Sequence, residues 1–336
     1  MTRSLSTRAA TFAALVLLAA CKDSNSPPDP NRIVNVFVGT QVDSATMRDR
    51  GEFILTLVPV NGRGEVVTDG ITIEPSVTGA TPTIALAGTP RVVPPDARPV
   101  AAAVSMDNSR SMGDSDPQRR RVTAAQQFWT ALLGADSRSV AALLGFGVDA
   151  ASEGFSDTKL FQTWTTSAPA LNAAFDGLAL SNGSPLYRSS REIIRWIDST
   201  RAPKEAYRRI LVVFTDGLPD DPTIEESLLA EAAANEVTIH AVGLGPASDQ
   251  SGQTLSDAVA RLTRLADATG GVYAGAPSAG SLPAVFEALA TISSDGALLA
   301  TVKLDPVPAA GTVLAGKVRV SNVAGGADGN WTLTVK

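Results

Sequence analysis

The sequence predicts an α/β protein. Its core is a doubly wound, mainly parallel sheet, joined to a smaller all-β, sandwich-like domain built from the flanking segments. Three observations predict this fold class. Short apolar runs alternate with amphipathic segments over residues 101–293, as in repeated β–α units. The segments on either side, 31–98 and 295–336, have β patterning instead. The chain has 336 residues, 44% of them hydrophobic, and this length suits about two domains.

The first 20 residues have the pattern of an export signal. Arg3 and Arg8 give a positive start, and residues 9–20 form an apolar stretch of 12 residues. Because a membrane-spanning helix needs about 20 residues, this stretch is too short to cross a bilayer and suits the apolar part of a signal peptide. We therefore predict that residues 1–20 are a signal peptide.

The apolar stretch ends in Leu18-Ala19-Ala20-Cys21, which resembles the lipobox of bacterial lipoproteins. The resemblance implies that Cys21, the single cysteine of the chain, carries the lipid. Residues 21–30 are polar and proline-rich, which predicts a tether. Because Lys22 rather than an Asp follows the cysteine, the outer membrane or the cell surface is favoured over the inner membrane. We expect a protein anchored by lipid in the cell envelope.

Strands are predicted in both segments that flank the α/β region. Residues 31–98 contain β-rich runs that are separated by Asn-Gly and Asp-Gly turn signals. Residues 295–336 contain further runs, with a turn predicted over 325–329. Each segment is short for a sandwich, but together they match the roughly 100 residues of an immunoglobulin-type sandwich. We expect one discontinuous sandwich interrupted by residues 99–294, and two independent β modules are the alternative.

Residues 99–294 are predicted to form the α/β domain. The run at 210–214 is continuously apolar, as expected for a strand covered on both faces. Other strands are predicted at 101–106, 140–146, 237–242 and 272–274. Helices are predicted around 122–133 and 193–197, from Asp221-Pro222 through 234, at 255–265, and last at 282–292.

Side chains with oxygen atoms cluster where these predicted elements end or begin. The first apolar run leads into Asp107-Asn108-Ser109-Arg110-Ser111, and the run at 211–214 leads into Thr215-Asp216-Gly217. Ser184 lies between these two motifs, at the predicted start of a helix. In an open α/β sheet, ligands bind at the carboxyl ends of the strands where the strand order reverses. The sequence therefore predicts a ligand site at this edge.

These residues resemble the von Willebrand factor A family over about residues 98–294. Asp107-x-Ser109-x-Ser111 is similar to its D-x-S-x-S signature, and Asp216 matches its second aspartate. Ser184 stands where the family usually has threonine. Serine keeps the hydroxyl group but lacks the methyl group that stiffens the threonine side chain. The resemblance implies a metal-ion-dependent adhesion site.

The resemblance also implies a role for each residue at this site. Ser109 and Ser111 would bind a metal directly, and Asp107, Ser184 and Asp216 would bind it directly or through water. All five offer hard oxygen atoms, which suit Mg²⁺, with Mn²⁺ or Ca²⁺ as alternatives. Two carboxylates balance one divalent cation, so the metal stays electrophilic. A Glu or Asp carboxylate of a protein or peptide partner is then expected to complete its coordination.

The function expected from this site is binding or adhesion, not catalysis. One alternative is an envelope scaffold in which the β-sandwich does the binding. A phosphatase-like hydrolase is the other alternative, but Ser109 replaces the second acid of the D-x-D-x-T motif, and no G-K-[ST] or G-x-S-x-G element is present. One Cys and one His exclude internal disulfides and thiolate zinc sites. The net charge of −6 without a long basic run disfavours nucleic acid.

Several other residues invite a functional interpretation. Asp220 and Asn108 are candidates for a second layer around the metal. A third carboxylate ligand from Asp220 or Asp221 is an alternative, and so is a solvated Asp220. Asp221 is predicted to cap the helix that follows it. His240, inside an apolar strand, is predicted to be a core residue. Asp328-Gly329 is interpreted as a turn signal.

Overall fold

The computed structural model describes residues 29–42, 44–63, 65–93, 97–201, 204–248, 257–276 and 297–335. The predicted signal peptide, Cys21, most of the tether and the predicted helix at 282–292 lie outside these residues. Within the described ranges, no helix is long and apolar enough to cross a membrane.

Strands and helices follow one another along the described chain in an order that separates three parts. The N-terminal part contains β1 (Ile33–Gln41), α1 (Ser44–Arg50), β2 (Glu52–Asn61), β3 (Thr72–Val77), β4 (Thr83–Leu86) and β5 (Arg91–Val93). The middle part contains β6 (Val100–Asp107), α2 (Met112–Ser115), α3 (Arg120–Ala135), β7 (Val140–Phe146), β8 (Lys159–Thr165), α4 (Ala168–Ala173), α5 (Leu186–Thr200), β9 (Arg208–Thr215), α6 (Glu225–Ala234), β10 (Val237–Leu244), α7 (Asp257–Asp267) and β11 (Tyr273–Ala276). The C-terminal part contains β12 (Ala297–Asp305), β13 (Val313–Asn322) and β14 (Gly325–Thr334).

The middle part forms a parallel sheet with helices on both faces, which confirms the predicted fold class. Its strands lie in the order β11-β10-β9-β6-β7, all parallel, and β8 is added antiparallel at the outer edge. The chain moves outward from β6 to β7 and in the opposite direction from β9 to β11. The strand order therefore reverses between the neighbours β6 and β9, and this is the edge where ligands bind in such folds.

Alternation along the central strands explains why their sequences are continuously apolar. In β9, Val212 and Phe214 face the core beneath α3 and α4, whereas Leu211 and Val213 face the core beneath α5, α6 and α7. Successive side chains of a strand point to opposite faces, so a strand covered on both faces needs apolar residues at every position. Both cores are well filled, with Trp129 in one and Tyr187 in the other fully buried.

Strands from the two flanking segments pair with each other. From the C-terminal part, β12 pairs antiparallel with β2, β4 and β5, and β13 pairs with β3 in a second sheet of order β14-β13-β3. The two groups of strands share one apolar core, which includes Phe53 and Trp331. One sheet of this β-rich region is not a separate layer, because β1 pairs with β11 and joins it to the parallel sheet. The exact domain boundaries stay a prediction.

The turn predicted over residues 325–329 is wrong. The turn between β13 and β14 is made by Val323 and Ala324, because Asn322 lies opposite Gly325 in the hairpin. Asp328 is therefore inside a strand, where its carboxylate pairs with Arg319 at 3.0 Å. Gly329 serves close packing, not a turn. A Cβ atom on it would lie 2.4 Å from Val38 Cγ2 and 2.8 Å from the Val36 carbonyl oxygen of β1.

We expect Gly329→Ala to lower the free energy of unfolding by about 1–3 kcal/mol, because the added methyl group forces β14 away from β1. Urea unfolding of the purified protein measures this change. Gly88→Ala is the matched control, since nothing lies within 4 Å of a Cβ atom at Gly88. An equal loss of stability in both variants would contradict the packing role of Gly329.

Candidate metal centre

The candidate ligands lie at the carboxyl ends of the two strands where the sheet order reverses. Asp107 is the last residue of β6, and Asp216 directly follows β9. Asp107 is fully buried, and Asp216 is 3% exposed. The chain between Asp107 and α2 carries Ser109 and Ser111. Adjacent parallel strands thus deliver both parts of the predicted motif to one edge.

Asp107 is held firmly by its neighbours. Its Oδ1 accepts a hydrogen bond from the Ser109 backbone N–H at 2.7 Å, and its Oδ2 accepts one from the Thr215 hydroxyl at 2.6 Å. Burial raises the pKa of Asp107 from 3.8 to about 6, although both hydrogen bonds act in the opposite direction. Thr215, for which we had predicted no role, therefore orients this carboxylate.

Three candidate ligands form one hydrogen-bonded chain. The hydroxyl oxygens of Ser109 and Ser111 are 3.0 Å apart, and the Ser111 hydroxyl donates to Asp216 Oδ1 at 2.8 Å. Three buried oxygens of the motif residues, Asn108 Oδ1, Ser184 Oγ and Asp216 Oδ2, have no hydrogen-bond partner. Because buried polar atoms in proteins are nearly always satisfied, these oxygens fit a site completed by a cation or water.

The three loops of the centre touch one another through glycine. Gly147, just after β7, has φ +64°, and a Cβ atom there would lie 2.8 Å from the Gly183 carbonyl oxygen and 2.9 Å from the Ser109 nitrogen. Ser181 N donates to the Asn108 carbonyl at 2.8 Å and joins the same loops. Sequence reasoning missed Gly147, whose only signal is a glycine directly after an apolar strand.

Comparison with known proteins agrees with this geometry. The family profile of the von Willebrand factor type A domain matches residues 103–218, a range that contains all five candidate ligands. The chain contains a von Willebrand factor type A domain. No curated protein matches the chain.

Solved structures similar to the chain include a von Willebrand factor type A protein, a pilus adhesin and a thread matrix protein. A von Willebrand factor type A protein from Catenulispora acidiphila is 14% identical, with 92% of this chain and 74% of that chain covered and a TM-score of 0.44. The pilus adhesin SpaC from Lactobacillus rhamnosus GG is 12% identical, with coverage of 93% and 48% and a TM-score of 0.45. Proximal thread matrix protein 1 from the mussel byssus, with a zinc-occupied MIDAS motif, is 15% identical, with coverage of 63% and 49% and a TM-score of 0.42.

Asp220 and Asp221 of the A domain bind backbone groups of the loop that carries Ser184. Asp220 Oδ2 accepts from the Ser184 N–H at 2.9 Å. Asp221 accepts from the Tyr187 and Arg188 N–H groups at 3.1 and 2.6 Å, and burial raises its pKa. Asp221 stands at the N-cap position before Pro222, as predicted, but its side chain makes no capping hydrogen bond there. Pro222–Ile224 forms a 3₁₀ turn without a side-chain cap, and Asp221 caps the first turn of α5 instead.

Asn108 and His240 are both buried. The Asn108 Nδ2 lies 3.4 Å from the Met106 carbonyl oxygen of β6, and the Asn108 backbone N–H donates to the Phe146 carbonyl of β7 at 3.0 Å. His240 is 4% exposed, and its Nδ1 accepts from the Val272 N–H at 3.1 Å. Burial lowers the pKa of His240 to about 4, so the ring is neutral at pH 7.

The surface around the centre combines polar and apolar groups. An open groove of about 460 Å³ is lined by Ser111 and Asp216 together with Leu218, Pro246 and Ala258. Leu218 is 51% exposed and Leu180, beside α2, is 43% exposed. Among the residues that the structure describes, no three His, Cys, Asp or Glu side chains cluster as a metal site. The candidate centre combines three serine hydroxyl groups with the two carboxylates of Asp107 and Asp216.

Proposed function

We propose that this protein is an exported, lipid-anchored binding protein whose A domain captures an acidic side chain of a protein partner through a divalent metal. The pair of buried oxygens without partners, Ser184 Oγ and Asp216 Oδ2, carries this proposal. Asp216 belongs to the hydrogen-bonded chain of Ser109, Ser111 and Asp216, and Gly183, next to Ser184, approaches the Ser109 loop at Gly147. A cation among these oxygens would satisfy both and would replace hydroxyl–hydroxyl contacts by metal–oxygen bonds.

The donor atoms favour Mg²⁺. Three hydroxyl groups and two carboxylates are hard oxygen ligands, and Mg²⁺ keeps waters in its octahedral sphere instead of requiring a full cage of protein atoms. Mn²⁺ and Ca²⁺ accept the same donors and are the alternatives. In this proposal Ser109 and Ser111 hold the metal directly, and Asp107, Ser184 and Asp216 hold it directly or through water.

Charge favours a carboxylate as the partner's contact. The two carboxylates of the site, Asp107 and Asp216, neutralise one divalent cation. When bound, the metal therefore supplies an electrophilic position for a further anionic oxygen. A Glu or Asp side chain of a protein or peptide partner fits that position.

Binding fits the site better than phosphoryl transfer. A nucleophilic aspartate needs a free oxygen that faces the substrate. Asp107 is fully buried, and both of its oxygens accept hydrogen bonds from Ser109 N–H and the Thr215 hydroxyl. Ser109, two residues further on, has a hydroxyl where a phosphatase would need an acid.

Location of the protein is proposed from its N-terminus. The lipobox-like sequence that ends at Cys21 supports a lipid anchor, and residues 21–30 provide a polar tether. The A domain would then face a partner at the outer membrane or cell surface.

Isothermal titration of the purified full-length chain with Mg²⁺, Mn²⁺ and Ca²⁺ tests the metal site. We expect saturable binding at one site, strongest for Mg²⁺ or Mn²⁺ and reversed by EDTA. The absence of binding by all three ions would refute the metal-mediated mechanism. It would direct the search for a partner to the β-rich region, which is the scaffold alternative.

We expect Leu218→Ala to weaken capture of an acidic peptide with apolar flanks by about tenfold, because half-exposed Leu218 lines the groove beside Asp216. The probes are two synthetic nonapeptides with a central Glu, one flanked by Leu and Phe and the other by Gly and Ser. Fluorescence anisotropy in Mg²⁺ measures both affinities.

The matched control for this prediction is Val313→Ala, which shortens an exposed apolar residue on β13 outside this groove. Mg²⁺ affinity is expected to be the same in both variants and in the wild type. Equal binding of the two peptides by the wild type would contradict an apolar contribution to specificity.

A further inference from the structure

We propose that Asp220 is a positioning residue that holds Ser184 in place for metal binding, and that it is not itself a metal ligand. This inference rests on the metal site of the proposed function. It concerns how the loop after β9, which carries Asp216 and Asp220, controls the loop that carries Ser184, and it decides between the two roles that the sequence left open for Asp220.

Two reciprocal hydrogen bonds link Asp220 to Ser184. The Ser184 N–H donates to Asp220 Oδ2 at 2.9 Å, and the Asp220 N–H donates to the Ser184 carbonyl at 3.0 Å. The backbone of Ser184 is therefore held on both sides by one residue. Gly183 precedes it with φ +82°, a conformation that glycine adopts without strain.

Asp221 extends this clamp into α5. Its carboxylate accepts from the N–H groups of Tyr187 and Arg188. Asp220 and Asp221 are on the same loop as Asp216. They bind backbone groups of residues 184, 187 and 188. The loop after β9 therefore carries Asp216 and, through the hydrogen bonds of Asp220, holds the backbone of Ser184.

The clamp has a particular value for serine. The threonine usual at this position has a branched side chain with few allowed χ1 rotamers, whereas serine turns more freely. With the backbone of Ser184 held by Asp220, rotation about χ1 is the remaining freedom of the hydroxyl. The metal then has to order only that rotation.

Asp220 differs from the two carboxylates proposed as ligands, Asp107 and Asp216, because its side chain is exposed to solvent. Oδ2 already accepts from the Ser184 N–H, and Oδ1 lies 3.5 Å from the guanidinium of Arg188. Both side chains of that ion pair are exposed, 44% for Asp220 and 46% for Arg188, so solvent screens it and it contributes little. The hydrogen bond to the backbone is the contact that matters.

Titration of Mg²⁺ into four full-length proteins tests this role: wild type, Asp220→Ala, Asp220→Asn and Arg188→Ala. Asp220→Ala loses the acceptor, and we expect its affinity for Mg²⁺ to fall about tenfold or more, as for residues that orient metal ligands. Asp220→Asn keeps an acceptor oxygen for the Ser184 N–H, and we expect it to stay within about threefold of the wild type. Arg188→Ala is the control and is expected to match the wild type.

A second comparison separates positioning from general stability. Ser184→Thr in the Asp220→Ala background is expected to recover several-fold in Mg²⁺ affinity, because the stiffer side chain replaces part of the lost order. Thermal unfolding in EDTA checks that each variant is folded at the titration temperature.

Three results would overturn the proposal, and they are distinguishable. An equal loss of affinity in Asp220→Asn and Asp220→Ala would identify the charge as essential and make Asp220 a ligand. Wild-type affinity in Asp220→Ala would show that the clamp is not needed. Absence of Mg²⁺ binding by the wild type would refute the proposed function together with this role.

Discussion

Asp107→Asn is expected to abolish saturable Mg²⁺ binding and, in EDTA at pH 7, to make the protein more stable than the wild type. The wild-type carboxylate is fully buried, and its charge is partly offset by hydrogen bonds from the Ser109 N–H and the Thr215 hydroxyl. Asparagine fills the same space without a charge to bury. Its Oδ1 can accept from the Ser109 N–H, and its Nδ2 can donate to the Thr215 hydroxyl oxygen, because a hydroxyl group can either donate or accept. The buried charge of Asp107 would thus destabilise the folded protein without metal, and binding of the cation would offset this loss.

The pH dependence of stability follows from the raised pKa of Asp107. The folded protein holds this proton up to about pH 6, whereas the unfolded chain loses it near the usual value of 3.8. Protonation therefore favours the folded state. The stabilisation is complete below pH 3.8 and is lost as the pH rises through about 6. The pKa difference corresponds to roughly 3 kcal/mol.

Urea unfolding in EDTA at several pH values between 4 and 7.5 measures this effect as the difference between wild type and Asp107→Asn. The subtraction removes the contribution of other titrating groups. Adding Mg²⁺ at about 100 times its Kd is expected to stabilise the wild type by about 2.7 kcal/mol and to leave the variant unchanged. Parallel pH curves for the two proteins, or Mg²⁺ binding by the variant, would contradict the role of Asp107.

Asp116→Ala is expected to lower the free energy of unfolding by about 3–5 kcal/mol, because it removes one partner of a buried ion pair. Asp116 and Arg121 are 1% and 3% exposed, and Asp116 Oδ2 lies 3.0 Å from Arg121 Nη1. The same carboxylate accepts from the N–H groups of Arg120 and Arg121 at 2.7 and 3.0 Å, and so caps the first turn of α3. The alanine variant leaves these donors and a buried guanidinium without an acceptor.

Urea unfolding measures this loss, with Asp328→Ala as the control for an exposed pair. Asp328 and Arg319 are 44% and 50% exposed, and their pair is expected to contribute at most about 1 kcal/mol. Asp116 makes no hydrogen bond to the candidate ligands among its described contacts, so Mg²⁺ affinity of the folded variant is expected to stay near that of the wild type. A change in stability as small as that of the control would contradict the importance of the buried pair.

The partner of Asp116 belongs to a basic run whose burial the sequence does not reveal. Arg119-Arg120-Arg121 is the longest basic run of the chain, yet Arg121 is buried in an ion pair and Arg119 donates to the Phe175 carbonyl at 3.1 Å. Nothing in the spacing of these residues distinguishes a solvated basic run from a buried ion pair. The difference depends on how α3 packs against the sheet.

The structure differs from the predictions for the Asp221 side chain and for Gly329 for the same reason. Asp221 before a proline has the local pattern of a helix cap, but its carboxylate caps α5, 34 residues earlier for Tyr187. Gly329 after an aspartate has the local pattern of a turn, but it lies in strand β14. Glycine is needed there because β1 passes too close for a side chain. In both cases the partner comes from another part of the chain.

The fold class, the strands that end at the site and the oxygen-bearing residues that follow them are all predictable from the sequence. Periodicity of apolar residues and position at a strand end are local properties, so they are visible along the chain. The hydrogen-bond partners of these residues are not predictable in this way, because they depend on the tertiary structure. Thr215 binds Asp107 across 108 residues and Asp220 binds Ser184 across 36, and both depend on which strands become neighbours. The pairing of β1 with β11 also depends on the tertiary structure. It joins the β-rich region to the parallel sheet, which the sequence pattern had predicted as separate domains.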